Sequence, residues 1–220
     1  LNVFVTSFHK WAFAFIKANG RDLFGKTLMG DSQKSFIEKS KLKFKTSGTN
    51  ISQKSSDFFM EEISWMKGKA FQSKNEYLDA KRTGRGTNDR VTKTDKETIW
   101  EIFSDYNSQL KANDLVDFDD YALICLDIIK SNPDFEKPFT HIIVDEAQDL
   151  SKAQILVISQ IVSEETRSIS IIADAAQRIY KSGFTWSEVG LNVRGRTIEF
   201  NTNYRNTIPI VKAAISLLSK

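Results

Sequence analysis

Cysteine and histidine are scarce in this sequence. Cys125 is the single cysteine, so no internal disulfide bond can form, and its apolar neighbours indicate a buried, inert thiol. With only His9 and His141 beside it, the chain cannot assemble a zinc-type ligand cluster. No hydrophobic run approaches the ~20 residues that span a bilayer, and the first residues lack a signal-peptide pattern. These absences predict a cytoplasmic protein that does not enter a membrane.

The net charge of +3 is small, but it is unevenly distributed. Residues 17–100 contain 18 Lys and Arg against 11 Asp and Glu, so the rest of the chain is mildly acidic. A basic segment on an acidic core suits a protein that meets phosphate backbones. A solvated, lysine-rich helical surface would produce the same excess, and composition alone leaves both readings open.

The most informative segment is 144–149, Val-Asp-Glu-Ala-Gln-Asp, directly after the apolar run 141–143. A short apolar run bounded by turn signals is typical of a strand buried in a parallel sheet. Ligands of such sheets bind beyond the carboxyl ends of the strands. Adjacent carboxylates there suit an ATPase, in which one helps to hold Mg²⁺ and another activates water. A helix N terminus would explain Glu146 or Asp149 alone, but not the whole string.

Four other segments carry recognisable patterns. They are Thr-Ser-Phe-His at 6–9, Asp-Phe-Asp-Asp at 117–120, Ala-Asp-Ala-Ala-Gln-Arg-Ile-Tyr at 173–180 and Asn-Tyr-Arg-Asn-Thr at 203–207. Together with 144–149, which is similar to a Walker B motif, they resemble the ordered motifs of superfamily 1 helicases of the UvrD/Rep type. The resemblance implies an ATP- and Mg²⁺-dependent helicase of the P-loop superfamily, which translocates on single-stranded DNA and unwinds duplex DNA.

The predicted elements give an α/β fold, a partial RecA-like parallel sheet with a mainly α-helical insertion. Strands are predicted at 3–6, 141–144, 168–173 and 197–200. Helices are predicted over 11–18 and after the capping residues Thr94, Asp117 and Ser151, with Pro209 as the first residue of a final helix.

We therefore expect four parts along the chain. The RecA-like core is predicted at 1–18 and 114–207, the helical insertion at 19–113, and at 208–220 the first helix towards an absent second RecA-like domain.

The resemblance also implies roles in ATP hydrolysis. Asp145 would hold Mg²⁺ and the bound nucleotide, and Glu146 would be the general base. Gln148 and Gln177 would sense the γ-phosphate, since an amide can donate to phosphate or accept from water without titrating. Arg205 would clamp the γ-phosphate with its planar, permanently charged guanidinium.

Further residues would contact the nucleotide base or DNA. Tyr204 would stack on the ATP base, although a core tyrosine is an alternative. Aromatic rings can stack on any base, and basic side chains can meet phosphates. The residues predicted to contact DNA are Phe8, His9, Tyr180, Phe184, Trp186, Arg82 and Arg85. For the aromatic residues and for His9, burial in the core is the competing interpretation.

Residues 20–27, Gly-Arg-Asp-Leu-Phe-Gly-Lys-Thr, match the phosphate-loop pattern. A working loop follows a strand and opens a helix, whereas this one follows the predicted helix 11–18. In the family the loop precedes the first motif, so we expect it upstream of Leu1 and expect this fragment alone to be inactive. Two alternatives stay open: a degenerate helicase-like module that binds nucleic acid or a partner without hydrolysis, and a self-contained NTPase that uses 20–27.

Overall fold

A computed structural model describes residues 2–45, 49–82, 90–173, 184–200, 202 and 206–218. The first five α-helices in these ranges are α1 (Phe8–Ala18), α2 (Gly30–Lys43), α3 (Ser56–Gly68), α4 (Lys74–Asp79) and α5 (Lys93–Ala112). The remaining elements are α6 (Asp120–Ser131), β1 (His141–Val144), α7 (Lys152–Gln160), β2 (Ser168–Ile171) and α8 (Ile208–Leu218). None of the helices in these ranges is long and apolar enough to cross a bilayer.

Strands β1 and β2 form a parallel pair, with His141 opposite Ser168 and Val144 opposite Ile171. The Ile172 amide continues the pairing by donating to the Val144 carbonyl at 2.8 Å. Helix α7 lies between the two strands in sequence, as parallel strands require a crossover connection. The predicted α/β class, a partial RecA-like sheet with a helical insertion, is confirmed.

Two main hydrophobic cores divide the helices. One core gathers α1, α6 and α7 around fully buried residues such as Ile16, Cys125 and Val157. Burial raises the pKa of the Cys125 thiol to about 12, so it stays protonated and unreactive at neutral pH, as predicted. The other core gathers α2, α3 and α5 around residues such as Phe59 and Ile102.

The chain passes between these two cores along two segments that lie side by side. Thr27 and Val116 form a parallel bridge. The Val116 amide donates to the Lys26 carbonyl at 3.0 Å, and the Leu28 amide donates to the Val116 carbonyl at 2.8 Å. The crossing points lie close to the predicted insertion limits at 19 and 113, and those limits stay a prediction.

Two of the predicted strands are wrong. Residues 3–6 and 197–200 have no regular structure, and their apolar side chains are exposed, up to 91% for Phe200. An isolated extended segment cannot satisfy its backbone donors and acceptors by itself, so a strand needs a neighbour. Among the described residues, β1 and β2 pair with each other and neither segment is hydrogen-bonded beside them.

The predicted helix starts are partly right. Ser151 and Gln154 form the predicted capping box at the start of α7. The box predicted at Thr94 is wrong, because α5 starts earlier and Thr92 is its cap. The Asp95 carboxylate accepts from the Thr92 amide at 2.9 Å and from the Thr92 hydroxyl at 2.7 Å, which fixes the register. Pro209 is the second rather than the first residue of α8.

The start of α5 predicts that Thr92, and not Thr94, stabilises this helix as its N-cap. Thr92→Ala should lower the free energy of unfolding by about 1 kcal/mol, because it removes the acceptor for the Asp95 amide. Thr94→Ala, the matched control, lies on an exposed face and should change it by less than about 0.5 kcal/mol. Urea denaturation measures both, and a larger loss in Thr94→Ala would contradict the assigned helix start.

Candidate functional site

Two adjacent carboxylates project from the end of β1, as the sequence predicts. Val144 is buried, whereas Asp145 and Glu146 are exposed. The Asp145 Oδ1 atom accepts from the Glu146 amide at 3.0 Å. The Ala147 amide donates to the Ile172 carbonyl at 3.0 Å, which fastens the acidic turn to the segment that continues β2. Both acids therefore stand at the carboxyl edge of the sheet, where ligands of α/β folds bind.

Glu146 has a left-handed backbone, with φ at +51°. A residue with a side chain pays about 1 kcal/mol for this conformation, so it persists only where the surroundings impose it. The hydrogen bond that the Glu146 amide donates to Asp145 and the one that the Ala147 amide donates to Ile172 supply that constraint. Next to it, Gln148 is buried and its amide nitrogen donates to the Glu146 carboxylate. Gln148 thus orients the candidate general base, and the γ-phosphate contact predicted for it stays a prediction.

The donor set at this edge fits Mg²⁺ held together with a nucleotide. Within the described ranges no group of three or more His, Cys, Asp or Glu side chains could hold a metal ion by itself. Mg²⁺ commonly takes one or two carboxylates and completes its shell with phosphate oxygens and water. The exposed Asp145 offers one such carboxylate, and ATP phosphates would supply the other oxygens.

Residues 20–27 do not have the geometry of a phosphate loop. They follow α1, and α2 begins only at Gly30. The Lys26 Nζ atom pairs with the Asp114 carboxylate at 2.5 Å, and the Thr27 hydroxyl lies 2.8 Å from the Tyr121 hydroxyl. Both groups that would face phosphates are thus occupied in joining the two cores. This placement supports the rejection of the motif.

Phe8 and His9 form the first turn of α1, which begins after the N-cap residue Ser7. The His9 ring meets the Phe118 ring edge-on at 5.3 Å between centroids and the Tyr121 ring at 6.0 Å. Burial lowers the pKa of His9 below its ordinary value, so the imidazole is neutral at pH 7. Any contact of His9 with a DNA backbone would therefore use a neutral N–H group.

Phe184 and Trp186 differ in accessibility. Phe184 is 7% exposed and packs under the sheet with Val144 and Ile155. Trp186 is half-buried, and its ring meets Phe184 edge-on at 5.8 Å. Burial favours the core interpretation for Phe184 and leaves Trp186 as the more accessible ring. The stacking role predicted for each residue is untested.

Arg82 is engaged in a buried ion pair. Its Nη2 atom lies 2.7 Å from a carboxylate oxygen of Glu62, which is fully buried. The Tyr77 hydroxyl donates to the same carboxylate at 2.9 Å. This pairing favours a structural role for Arg82 over the predicted phosphate contact. Five other predicted site residues lie outside the described residues: Arg85, Gln177, Tyr180, Tyr204 and Arg205.

One charged cluster was missed by sequence reasoning. Lys67 of α3 is buried between the carboxylates of Asp117 and Asp120. The sequence pattern predicts a helix cap at Asp117 and places both aspartates in the Asp-Phe-Asp-Asp motif. A signal was present, because Phe59, Ile63 and Lys67 are spaced four residues apart on one face of α3. A lysine in line with two core residues is a candidate for a buried ion pair.

Comparison with known families identifies the class of protein. The sequence model described as the UvrD/REP helicase N-terminal domain matches residues 2–187. The chain therefore belongs to this family, and the resemblance drawn from its motifs is confirmed.

Individual relatives agree with this assignment. The chain is 28% identical over 137 residues to the ATP-dependent DNA helicase PcrA of Leuconostoc citreum, and the aligned region covers 56% of this chain and 18% of PcrA. It is 32% identical over 127 residues to the ATP-dependent DNA helicase srs2 of Schizosaccharomyces pombe, and that alignment covers 54% of this chain and 14% of srs2. The putative ATP-dependent DNA helicase YjcD of Bacillus subtilis is 28% identical over 144 residues, and that alignment covers 60% of this chain and 19% of YjcD. The matched region thus spans less than a fifth of each relative.

The buried ion pair between Arg82 and Glu62 predicts that Arg82 stabilises the fold. Arg82→Ala should lower the free energy of unfolding by about 3 kcal/mol, because it withdraws the guanidinium from a buried carboxylate. Lys81→Ala, the neighbouring exposed cation, should change it by less than about 0.5 kcal/mol. Urea denaturation gives both values. Unchanged stability in Arg82→Ala, with a weaker salt dependence of DNA binding, would restore the phosphate contact.

Proposed function

We propose that this chain supplies the Walker B part of the ATP site, and part of the single-stranded DNA surface, of an ATP-dependent helicase. The observation that carries the proposal is the pair Asp145 and Glu146, exposed at the carboxyl end of a parallel strand in a UvrD/REP helicase N-terminal domain. The naming of its relatives as ATP-dependent DNA helicases supports it.

At the ATP site each residue has a separate task. Asp145 would bind Mg²⁺, which neutralises charge on the transferred phosphate when bound. Glu146 would accept a proton from the attacking water, and its carboxylate is held in place by the Gln148 amide. By resemblance, Gln177 would respond to the γ-phosphate, Arg205 would clamp it, and Tyr204 would stack on the base.

On the DNA side, the proposed contacts lie on separate elements. Trp186 would stack on a base of the single strand, together with Tyr180 of the preceding motif. Phe8 and His9 would contact the backbone from the first turn of α1. The basic excess of residues 17–100, with Arg85 among them, would meet the phosphates of single-stranded or duplex DNA.

The role of Glu146 can be tested in the complete helicase that contains this domain. Glu146→Gln should retain ATP binding and lose hydrolysis, because the amide preserves shape but cannot accept the proton. Glu165→Gln is the matched control, an exposed glutamate away from the turn, and should retain full activity. Turnover by Glu146→Gln near the wild-type rate would exclude Glu146 as the base.

The role of Trp186 can be tested on the 220-residue chain. Trp186→Ala should weaken binding of a labelled oligothymidylate by roughly 1–3 kcal/mol, the contribution of one base stacked on an aromatic ring. Trp186→Phe keeps a ring and should retain most of the affinity. Fluorescence anisotropy gives both dissociation constants, and equal affinity in wild type and Trp186→Ala would remove Trp186 from the DNA surface.

A further inference from the structure

A buried ion cluster lies where the two hydrophobic cores meet. The Lys67 side chain is 1% exposed, and its Nζ atom lies 2.7 Å from Asp117 Oδ2 and 2.6 Å from Asp120 Oδ1. The Tyr106 hydroxyl donates to the same Asp117 oxygen at 2.9 Å. Burial alone would lower the pKa of Lys67, but the two carboxylates outweigh that effect and raise it, so the ammonium stays charged.

The cluster fixes a turn that belongs to the other core. The Asp117 amide donates to Asp120 Oδ2 at 2.9 Å, and the Asp120 amide donates to Asp117 Oδ1 at 3.1 Å. Each carboxylate thus uses one oxygen on the turn and the other on Lys67. Lys67 belongs to α3 and Tyr106 to α5, two helices of the core formed by α2, α3 and α5, which we call the helical segment. Two helices of the helical segment thus hold the start of α6.

The residue enclosed by that turn reaches the first turn of α1. Phe118 lies between the two aspartates, and its ring packs edge-on against His9 at 5.3 Å. Tyr121, one residue after Asp120, also meets the His9 ring, at 6.0 Å. Its hydroxyl lies 2.8 Å from the Thr27 hydroxyl, on the segment that crosses between the cores. Contacts therefore run without a gap from Lys67 to the N terminus of α1.

We propose that Lys67 is a positioning residue for DNA binding. By holding the Asp117–Asp120 turn, it sets Phe118 against His9 and fixes the first turn of α1 in the orientation that presents Phe8 and His9 to single-stranded DNA. This inference rests on the proposed function, because it requires that Phe8 and His9 contact DNA. It adds that the helical segment controls DNA affinity through an internal contact and not only through surface charge.

A residue that only stabilises the fold would behave differently from a positioning residue. Removing it lowers the free energy of unfolding, but DNA affinity measured while the protein is folded stays the same. Removing a positioning residue lowers affinity in the folded protein, and the loss depends on the groups that it positions. A double-mutant cycle separates the two cases, because residues that act through the same contact give non-additive effects.

The test uses the 220-residue chain and a fluorescein-labelled oligothymidylate of about 16 nucleotides. Lys67→Met, Phe8→Ala and the double variant are compared by anisotropy, with urea denaturation to establish that each is folded. We expect Lys67→Met to raise the dissociation constant about fivefold in the wild-type background and to have almost no effect in the Phe8→Ala background.

A second variant decides the matter if Lys67→Met does not fold. Phe118→Ala leaves the ion cluster intact, and its ring is 42% exposed, so the fold should tolerate the change. It should weaken DNA binding to a similar extent, again only when Phe8 is present. Phe24→Ala is the matched control, since its ring is 84% exposed and lies on another segment, and it should bind like wild type.

The outcomes distinguish failure of the positioning role of Lys67 from failure of the proposed DNA surface. If wild type binds the oligonucleotide while Phe118→Ala and folded Lys67→Met bind equally well, the positioning role is wrong and the DNA surface stands. Additive losses with Phe8→Ala would also overturn the positioning role. If wild type does not bind single-stranded DNA, the proposed DNA surface is wrong, and the inference fails with it.

Discussion

Where the two hydrophobic cores of this structure meet, one buried ammonium group lies between two carboxylates. Removing Lys67, Asp117 and Asp120 from water is costly, and their attraction offsets that cost only with close geometry and further hydrogen bonds. Both conditions are met, by contacts of 2.6 and 2.7 Å and by the Tyr106 hydroxyl. Such a cluster adds little net stability when it is intact, but removal of one partner leaves an uncompensated buried charge and is strongly destabilising.

Two other contacts support the same junction. Lys26 pairs with Asp114 where the chain passes between the cores. At the end of α3, a methyl group on Gly68 would lie only 3.1 Å from the Ser151 Cβ atom, so α3 approaches the start of α7 closely. Helix α7 follows directly after the acidic turn that carries Glu146. The C-terminal end of α3 therefore contacts two places. One is the Asp117–Asp120 turn, whose Phe118 ring meets His9, and the other is the start of α7, which follows the proposed ATP site.

The sequence predicted the features that depend on local patterns. The acids at the end of β1 and the capping box of α7 follow from short-range signals. The strands at 3–6 and 197–200 failed because strand formation depends on a partner, which an apolar run does not specify. Arg82 looked like a DNA contact because charge is visible in a sequence, whereas its pairing with Glu62 depends on tertiary structure.

If the Lys67 cluster joins the two cores into one cooperative unit, native-state hydrogen exchange should detect it directly. Amides of α5, in the core of the helical segment, and of α6, in the other core, should then open with the same free energy, equal within about 1 kcal/mol to that of global unfolding. Both sets should share one denaturant dependence. Exchange of the α5 amides at a clearly lower free energy, with α6 still protected, would show two independent units and contradict the account.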